Sequence, residues 1–387
     1  MADPSEGCVN QGGSLLLSDY AAQIAATDIL NPTDFNPVLQ GLYGEVGGIM
    51  ATAKKHVREK SAYPGFKKAA EEEFGDTLWY LAAICRRVQF PLEDVFAEAA
   101  NHGNFKNVGA ASDITAGALA YIAVPVAGSV LLDTTLVHLG QAAARLLGTS
   151  SPARADLVAF ARAYLDAIHA AKLTFADVAR GNLRKARGAF LEPEASDLAG
   201  LDFDREFGAE EQLPRTFKIR VSQRGSGKSY LQWHGVFIGD PLTDNIADRD
   251  GYRFHDVFHL AYAAILHWSP VIRALIKHKR KSNSRCDEEQ DSGRAIVVEE
   301  GLTAWIFARA KELNFFANQD KVSLGILKTI GEFVTGYEVE KCPLKLWEKA
   351  ILDGYAVFRQ LNANEGGWIV GDRAQRTISY MPLESKK

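Results

Sequence analysis

At 387 residues the chain is longer than a single core usually takes, and length alone points to two or three domains. Its 47% hydrophobic and 24% charged content is that of an ordinary folded globular protein. A net charge of −4 argues against general nucleic-acid binding or a membrane-surface role.

Cys8, Cys85, Cys286 and Cys342 are scattered, with no C-x-x-C pair. They fit a reducing cytoplasm, and neither a disulfide framework nor a zinc knuckle. Met1 to Glu6 has neither the basic start nor the apolar core of a signal peptide.

Ser14 to Leu30 can form a helix, with Leu17, Tyr20, Ile24 and Ile29 available for packing. Asn31-Pro32-Thr33-Asp34 breaks it and supplies start signals for the next. Leu39, Leu42, Val46, Ile49, Ala53 and Val57 then recur at three- and four-residue steps, as one buried helix face requires. Phe74, Leu78, Leu81, Cys85 and Val88 repeat the pattern in a second helix. Pro91 suits the first turn of a third, whose buried face is Leu92, Val95, Phe96 and Ala99.

Carboxylates flank these stripes. Glu73 and Asp76 share one side of their helix, and Glu45 sits beside the apolar Val46. Like charges crowded near an apolar interior are costly unless a cation compensates them. A hard divalent ion with oxygen ligands does so, and Mg²⁺ typically takes a few carboxylates plus substrate phosphates. Glu71 and Glu72 read as a solvated acidic face.

Gly44-Glu45-Val46-Gly47, Glu73-Phe74-Gly75-Asp76 and the closing Asn101 together resemble the MazG-type all-α nucleoside triphosphate pyrophosphohydrolases. That family's signature is Glu-x-x-Glu, a spacer, then Glu-x-x-Asp. The resemblance implies hydrolysis of a nucleoside triphosphate to the monophosphate and pyrophosphate. Glu45, Glu73 and Asp76 would hold Mg²⁺ or Mn²⁺, and Asn101 would contact the nucleotide. One departure is plain: the second Glu of the first motif would fall at Gly48, which removes an expected ligand. Gly48→Glu is then expected to raise turnover or tighten metal binding. Lys54 and Lys55 read either as a solvated helix end or as triphosphate contacts.

Ile114 to Leu132 carries no charge, but its Ala, Gly and Pro125 favour a packed connection over a membrane span. Beyond it the first pattern recurs in degraded form. Leu92 to Asn101 has the spacing of Leu173 to Asn182, and Phe96-Ala97-Glu98 resembles Phe175-Ala176-Asp177. Asn182-Leu183-Arg184-Lys185 also fits the Asn-x-x-Lys end of MazG-like domains, which adds Asn182 and Lys185 to the implied nucleotide contacts. The resemblance thus implies two repeats, 14–110 and 111–190, arranged as an intramolecular pseudo-dimer. An unrelated helical hairpin is the alternative.

Residues 191–212 are acidic and irregular and read as a linker, with a C-terminal domain over 213–387. Thr216 to Val221 and Tyr230 to Ile238 alternate like strands around Arg224-Gly225-Ser226-Gly227-Lys228-Ser229. A P-loop would need Gly where Ser222 stands, and no helix pattern follows. The domain's Gly-Asp-Pro-Leu-Thr-Asp-Asn and Tyr-Arg-Phe-His-Asp runs resemble the C-terminal domain attached to some bacterial MazG-like proteins.

His255 and His259 lie one helical turn apart with Asp256 between them, and Glu299-Glu300 interrupts a later apolar helix. Such a set can bind a transition metal. Its His-Asp pair is similar to HD-type phosphohydrolases, although their other spaced ligands are not evident. A buried His–Glu hydrogen-bond network is the reading the sequence favours. Lys277-His278-Lys279-Arg280-Lys281 is a solvated run or a hold for a phosphate or partner. Gly366 to Met381 should close the chain as a hairpin.

The expected fold is therefore mainly α: a tandem helical bundle, then an α+β domain with short β-hairpins. Beside hydrolysis stands a second expectation, a nucleotide-binding sensor that does not cut and signals through its C-terminal domain in stress or phage defence. A third makes the His255 cluster the working site and the bundle its scaffold. A homodimer contact or protein partner is expected at the C-terminal domain, and no membrane.

Overall fold

The computed structural model describes residues 15–101, 105–108, 122–125 and 131–383, with Asn101 and residues 105–108 and 122–125 described by backbone alone. The protein is mainly helical, and it divides into two compact units, Met1–Leu191 and Glu192–Lys387.

The first unit contains α1 (Leu17–Ala25), α2 (Asn36–Glu59), α3 (Phe66–Arg87) and α4 (Leu92–Asn101). Two short antiparallel strands follow, β1 (Phe105–Val108) and β2 (Ile122–Pro125), then α5 (Leu132–Leu147), α6 (Arg154–Ala170) and α7 (Phe175–Phe190). Most of the uncharged stretch 114–132 lies outside the described residues. Among the described residues no helix is long and apolar enough to cross a membrane.

The apolar periodicity becomes the core. Leu39, Leu42, Val46, Ile49 and Ala53 of α2 are buried with Phe74, Leu78 and Leu81 of α3. Two stripe positions fall outside it: Val57 is 64% exposed and Ile29 is 68% exposed. Residues 54–58 are all exposed, so the end of α2 runs past its neighbours. Ile29 follows the end of α1, so helical spacing no longer aims it inward.

Helices of the two halves pair reciprocally: α2 packs on α5, α3 on α7, and α6 on α4. The Phe96 ring of α4 meets Phe175 of α7 at 5.0 Å. Tyr164 of α6 donates from its hydroxyl to the Phe74 carbonyl of α3 at 2.8 Å. The cross-links between the halves are thus spread through the core.

The second unit is α+β. A short α8 (Ala195–Leu198) leads to β3 (Thr216–Gln223), β4 (Ser229–Trp233) and β5 (Val236–Leu242). Helices α9 (Asp256–Ala261), α10 (Pro270–Ile276), α11 (Ser284–Glu289), α12 (Gly293–Glu312), α13 (Leu324–Phe333) and α14 (Leu344–Asn364) come next. β6 (Gly366–Asp372) and β7 (Thr377–Met381) complete an antiparallel sheet ordered β5-β4-β3-β6-β7. The apolar faces of the sheet and helices share one core, including Ile219, Phe258, Trp347 and Ile369.

The stretch expected as one strand, 230–238, is two. His234 and Gly235 both take positive φ, 49° and 80°, and turn β4 into β5. Residues 224–229 form a hairpin turn closed by Arg224 N–H to the Lys228 carbonyl at 3.2 Å, with a strand after it. Residues 192–212, expected within a linker, are built into this unit. Leu201 is buried, and the Asp204 carboxylate accepts from Leu213 N–H at 2.7 Å, Arg273 at 2.6 Å and Arg373 at 2.8 Å.

Candidate functional sites

Glu45 comes from the middle of α2, and Glu73 and Asp76 from successive turns of α3. Helix spacing turns the α3 pair to one side, and packing of α2 on α3 brings Glu45 to them. The crowding is visible in the chemistry of Glu45. Burial, then the charges of Asp76 and Glu73 and a hydrogen bond with Glu73, push its carboxyl up to about 7, with Lys185 opposing.

Gly48 has a role here that its sequence position did not suggest. A Cβ at this position would lie 2.1 Å from Glu73 Oε2. The Glu73 carboxylate therefore occupies the space that a side chain at 48 would enter. The expected benefit of Gly48→Glu meets this obstacle, because the new side chain must first displace Glu73.

The second half of the unit completes the cluster. Asn182 of α7 is buried, donates to Asp76 Oδ1 at 3.1 Å and accepts from the Tyr20 hydroxyl at 2.7 Å. Such close approach needs Gly75, whose Cβ would lie 2.8 Å from the Asn182 Cβ. One turn on, Lys185 pairs with Asp76 and, at 2.9 Å, with Glu72. Glu72 thus belongs to the site's charge balance rather than to a merely solvated face. Tyr20 is the member that sequence reasoning missed; its only signal was an aromatic in an amphipathic helix.

The other implied contacts are not gathered here. Lys54 is exposed, and Lys55 Nζ lies 4.3 Å from the centre of the Tyr63 ring. Ten residues of helix place Lys55 about 15 Å along the axis from Glu45. The Asn101 side chain lies outside the described residues. Glu45, Glu73 and Asp76 are all oxygen donors with excess negative charge, which suits a hard divalent cation such as Mg²⁺.

The second unit gathers its five residues at α9 and α12: His255 immediately precedes α9, Asp256 and His259 lie in it, and Glu299 and Glu300 lie in α12. Asp244, in the turn after β5, fixes the entry to α9 by accepting Gly251 N–H at 2.6 Å and Arg253 Nη1 at 2.8 Å. Gly251 needs its freedom, with φ at 90° and Asn362 Oδ1 where a Cβ would point. The two sequence runs that stood out, around Asp244 and His255, are therefore one structural device.

Beyond that entry His255, Asp256 and His259 are buried, and one ligand atom from each lies within 4.8 Å of the others. Glu299 is buried and accepts from His259 Nδ1 at 2.9 Å, Ser269 Oγ at 2.7 Å and Val271 N–H at 2.8 Å. Glu300 reaches solvent, its side chain 41% exposed. Burial alone would lower the His259 pKa, but the Glu299 and Glu300 carboxylates hold it up at about 10. Burial lowers that of His255, and burial raises that of Asp256. The basic run is split: Arg280 is buried between Asp291 and Glu338, each at 2.7 Å, as a structural ion pair.

Residues 199–384 match the family model of the MazG C-terminal domain. The match begins before Asp202 and Asp204, in keeping with their place in the fold of the second unit. Among curated proteins and solved structures, nothing matches the chain.

Proposed function

We propose that the first unit hydrolyses a nucleoside triphosphate to the monophosphate and pyrophosphate with a divalent ion, Mg²⁺ or Mn²⁺. The observation that carries this reading is the convergence of Glu45, Glu73 and Asp76 with Asn182 and Lys185 from the other half. The MazG-type resemblance of residues 38–106 supports it, and so does the MazG C-terminal domain match, which links the chain to nucleotide metabolism.

Glu45, Glu73 and Asp76 would hold the ion, which supplies Lewis-acid polarisation of the phosphate and an activated water. The protein's own groups supply the rest. Ionised Glu45 is required for ligation, so its proton must leave first. Asn182, anchored by Tyr20, holds Asp76 in orientation. Lys185, on a flexible stem, can turn from Glu72 and Asp76 toward an arriving phosphate.

A nucleotide sensor that binds without cutting is the second reading. It is favoured by one observation: Lys185 already compensates the carboxylates internally. Incubation with Mg²⁺ and a panel of ribo- and deoxyribonucleoside triphosphates separates the two. Pyrophosphate release supports hydrolysis. Saturable nucleotide binding without release supports the sensor, and neither result sinks both.

A further inference from the structure

We propose that His255, Asp256, His259 and Glu300 form a binding site for a first-row divalent transition metal, of the zinc, manganese or iron class. This site belongs to the second unit and does not depend on the nucleotide chemistry of the first.

The tautomers carry the argument. Each imidazole is already held through Nδ1: His255 by the Tyr252 carbonyl at 2.9 Å, His259 by Glu299 Oε1 at 2.9 Å. A ring that donates from Nδ1 presents its Nε2 lone pair, and metal-ligating histidines are almost always oriented this way. The two Nε2 atoms converge on one carboxylate oxygen, Glu300 Oε2, at 3.8 Å and 3.4 Å. For bonds of about 2.1 Å to a tetrahedral ion, ligands sit about 3.4 Å apart. Small movements would bring this set to that spacing.

A purely structural network accounts for these atoms less well. His259 has no exposed surface, and its Nε2 makes no well-formed hydrogen bond, only the 3.4 Å ion-pair contact with Glu300 Oε2. Buried polar nitrogens are seldom left so. Glu299 is the network member, with three donors in place. Glu300 and Asp256 are carboxylates beyond that network, and a divalent ion would balance their two charges against neutral imidazoles. Two imidazoles with two carboxylates favour a borderline ion over Mg²⁺ or Ca²⁺. The rival arrangement is a His259 imidazolium lodged between Glu299 and Glu300.

The test uses the full chain, purified without a histidine tag, stripped with chelator and titrated with Co²⁺ and Zn²⁺ by calorimetry and visible absorption. One equivalent of Co²⁺ should bind with the stronger d–d spectrum of a tetrahedral site with imidazole ligands, and Zn²⁺ should displace it. That spectrum is distinct from the weak absorption of Co²⁺ held by oxygen ligands in the first unit. His259→Gln should abolish that spectrum. Glu300→Gln, at a half-exposed position tolerant of change, should weaken Co²⁺ binding at least about 10-fold while the protein stays folded. Asp76→Asn in the first unit should leave the spectrum intact, which separates the two sites. Absence of a bound equivalent, or an unchanged spectrum in both His259→Gln and Glu300→Gln, would overturn the proposal in favour of the imidazolium.

Discussion

Glu45, Glu73 and Asp76 are pressed together on half-buried helix faces of the first unit, with the flexible Lys185 as counter-charge. In the second unit His255 and His259 are buried and fixed through one nitrogen each, by a carbonyl and by a carboxylate with two further donors. The first arrangement leaves charge to be met by something that can come and go. The second commits backbone and core to the orientation of two rings. Hard, exchangeable partners such as a hydrated cation and a phosphate suit the former. A tightly held ion or a permanent ion pair suits the latter.

The largest effect should fall on the fixed anchor. Glu299→Ala strands His259 Nδ1, Ser269 Oγ and Val271 N–H in the core. Each stranded donor costs about 1–3 kcal/mol, so at least about 3 kcal/mol of stability should be lost in urea unfolding. A loss well below that would mean that water or repacking replaces the carboxylate, and the contrast in rigidity would fail. Asp76→Asn tests the exchangeable site. If Asp76 is a direct ligand of the proposed hydrolase, its loss should cut pyrophosphate release by more than the roughly 10–100-fold usual for an outer-shell partner. It should also erase any rise in melting temperature on adding Mg²⁺. Retention of that rise would remove Asp76 from the ligand set.

Titration sharpens the same contrast. Glu45 has a folded-state pKa near 7, above its ordinary value, so the folded metal-free protein keeps a proton that the unfolded chain has released. Its contribution to stability therefore falls as pH rises from the ordinary carboxylate range through about 7. Mg²⁺ must displace that proton, so Mg²⁺-induced stabilisation should grow across the same window. Thermal scans at about pH 6 and about pH 8, with and without Mg²⁺, measure it. Equal Mg²⁺ shifts at both would show that Glu45 is not a ligand.

Gly48→Ala is a smaller perturbation. Alanine raises helix propensity by about 1 kcal/mol, but its Cβ needs the space held by Glu73. Mg²⁺ affinity should drop several-fold while metal-free stability holds or rises. Tighter Mg²⁺ binding would mean that displacing Glu73 improves the site.

Much of this was legible in the sequence because it follows helical period. The buried faces of α2 and α3 and the shared side of Glu73 and Asp76 needed only three- and four-residue spacing. Glu45 was joined to them by the family resemblance and is brought there by the packing of α2 on α3. What was not legible depends on contacts distant in the chain. Glu72 read as solvated until Lys185, over a hundred residues on, paired with it. Arg280 read as part of a surface run, yet Asp291 and Glu338 draw it into the core. His234-Gly235 broke an alternating pattern through backbone φ alone, which hydropathy does not encode.

The smallest effect belongs to the residue that sequence missed. Tyr20 donates to Asn182 Oδ1, and Asn182 in turn donates to Asp76, so the hydroxyl acts on the cluster through one intermediary. Tyr20→Phe keeps the buried ring and removes one hydrogen bond, at a cost of about 1 kcal/mol in stability. If Asn182 serves only to pack α7 on α3, nothing else should change. If it orients Asp76, the loss should also appear as weaker Mg²⁺ binding, measured by calorimetry. Asn182→Ala should weaken it further, and Tyr20→Phe should add little in that background, because the two residues act in series. Independent, additive losses would break the chain from Tyr20 to Asp76 and reduce Tyr20 to a core aromatic.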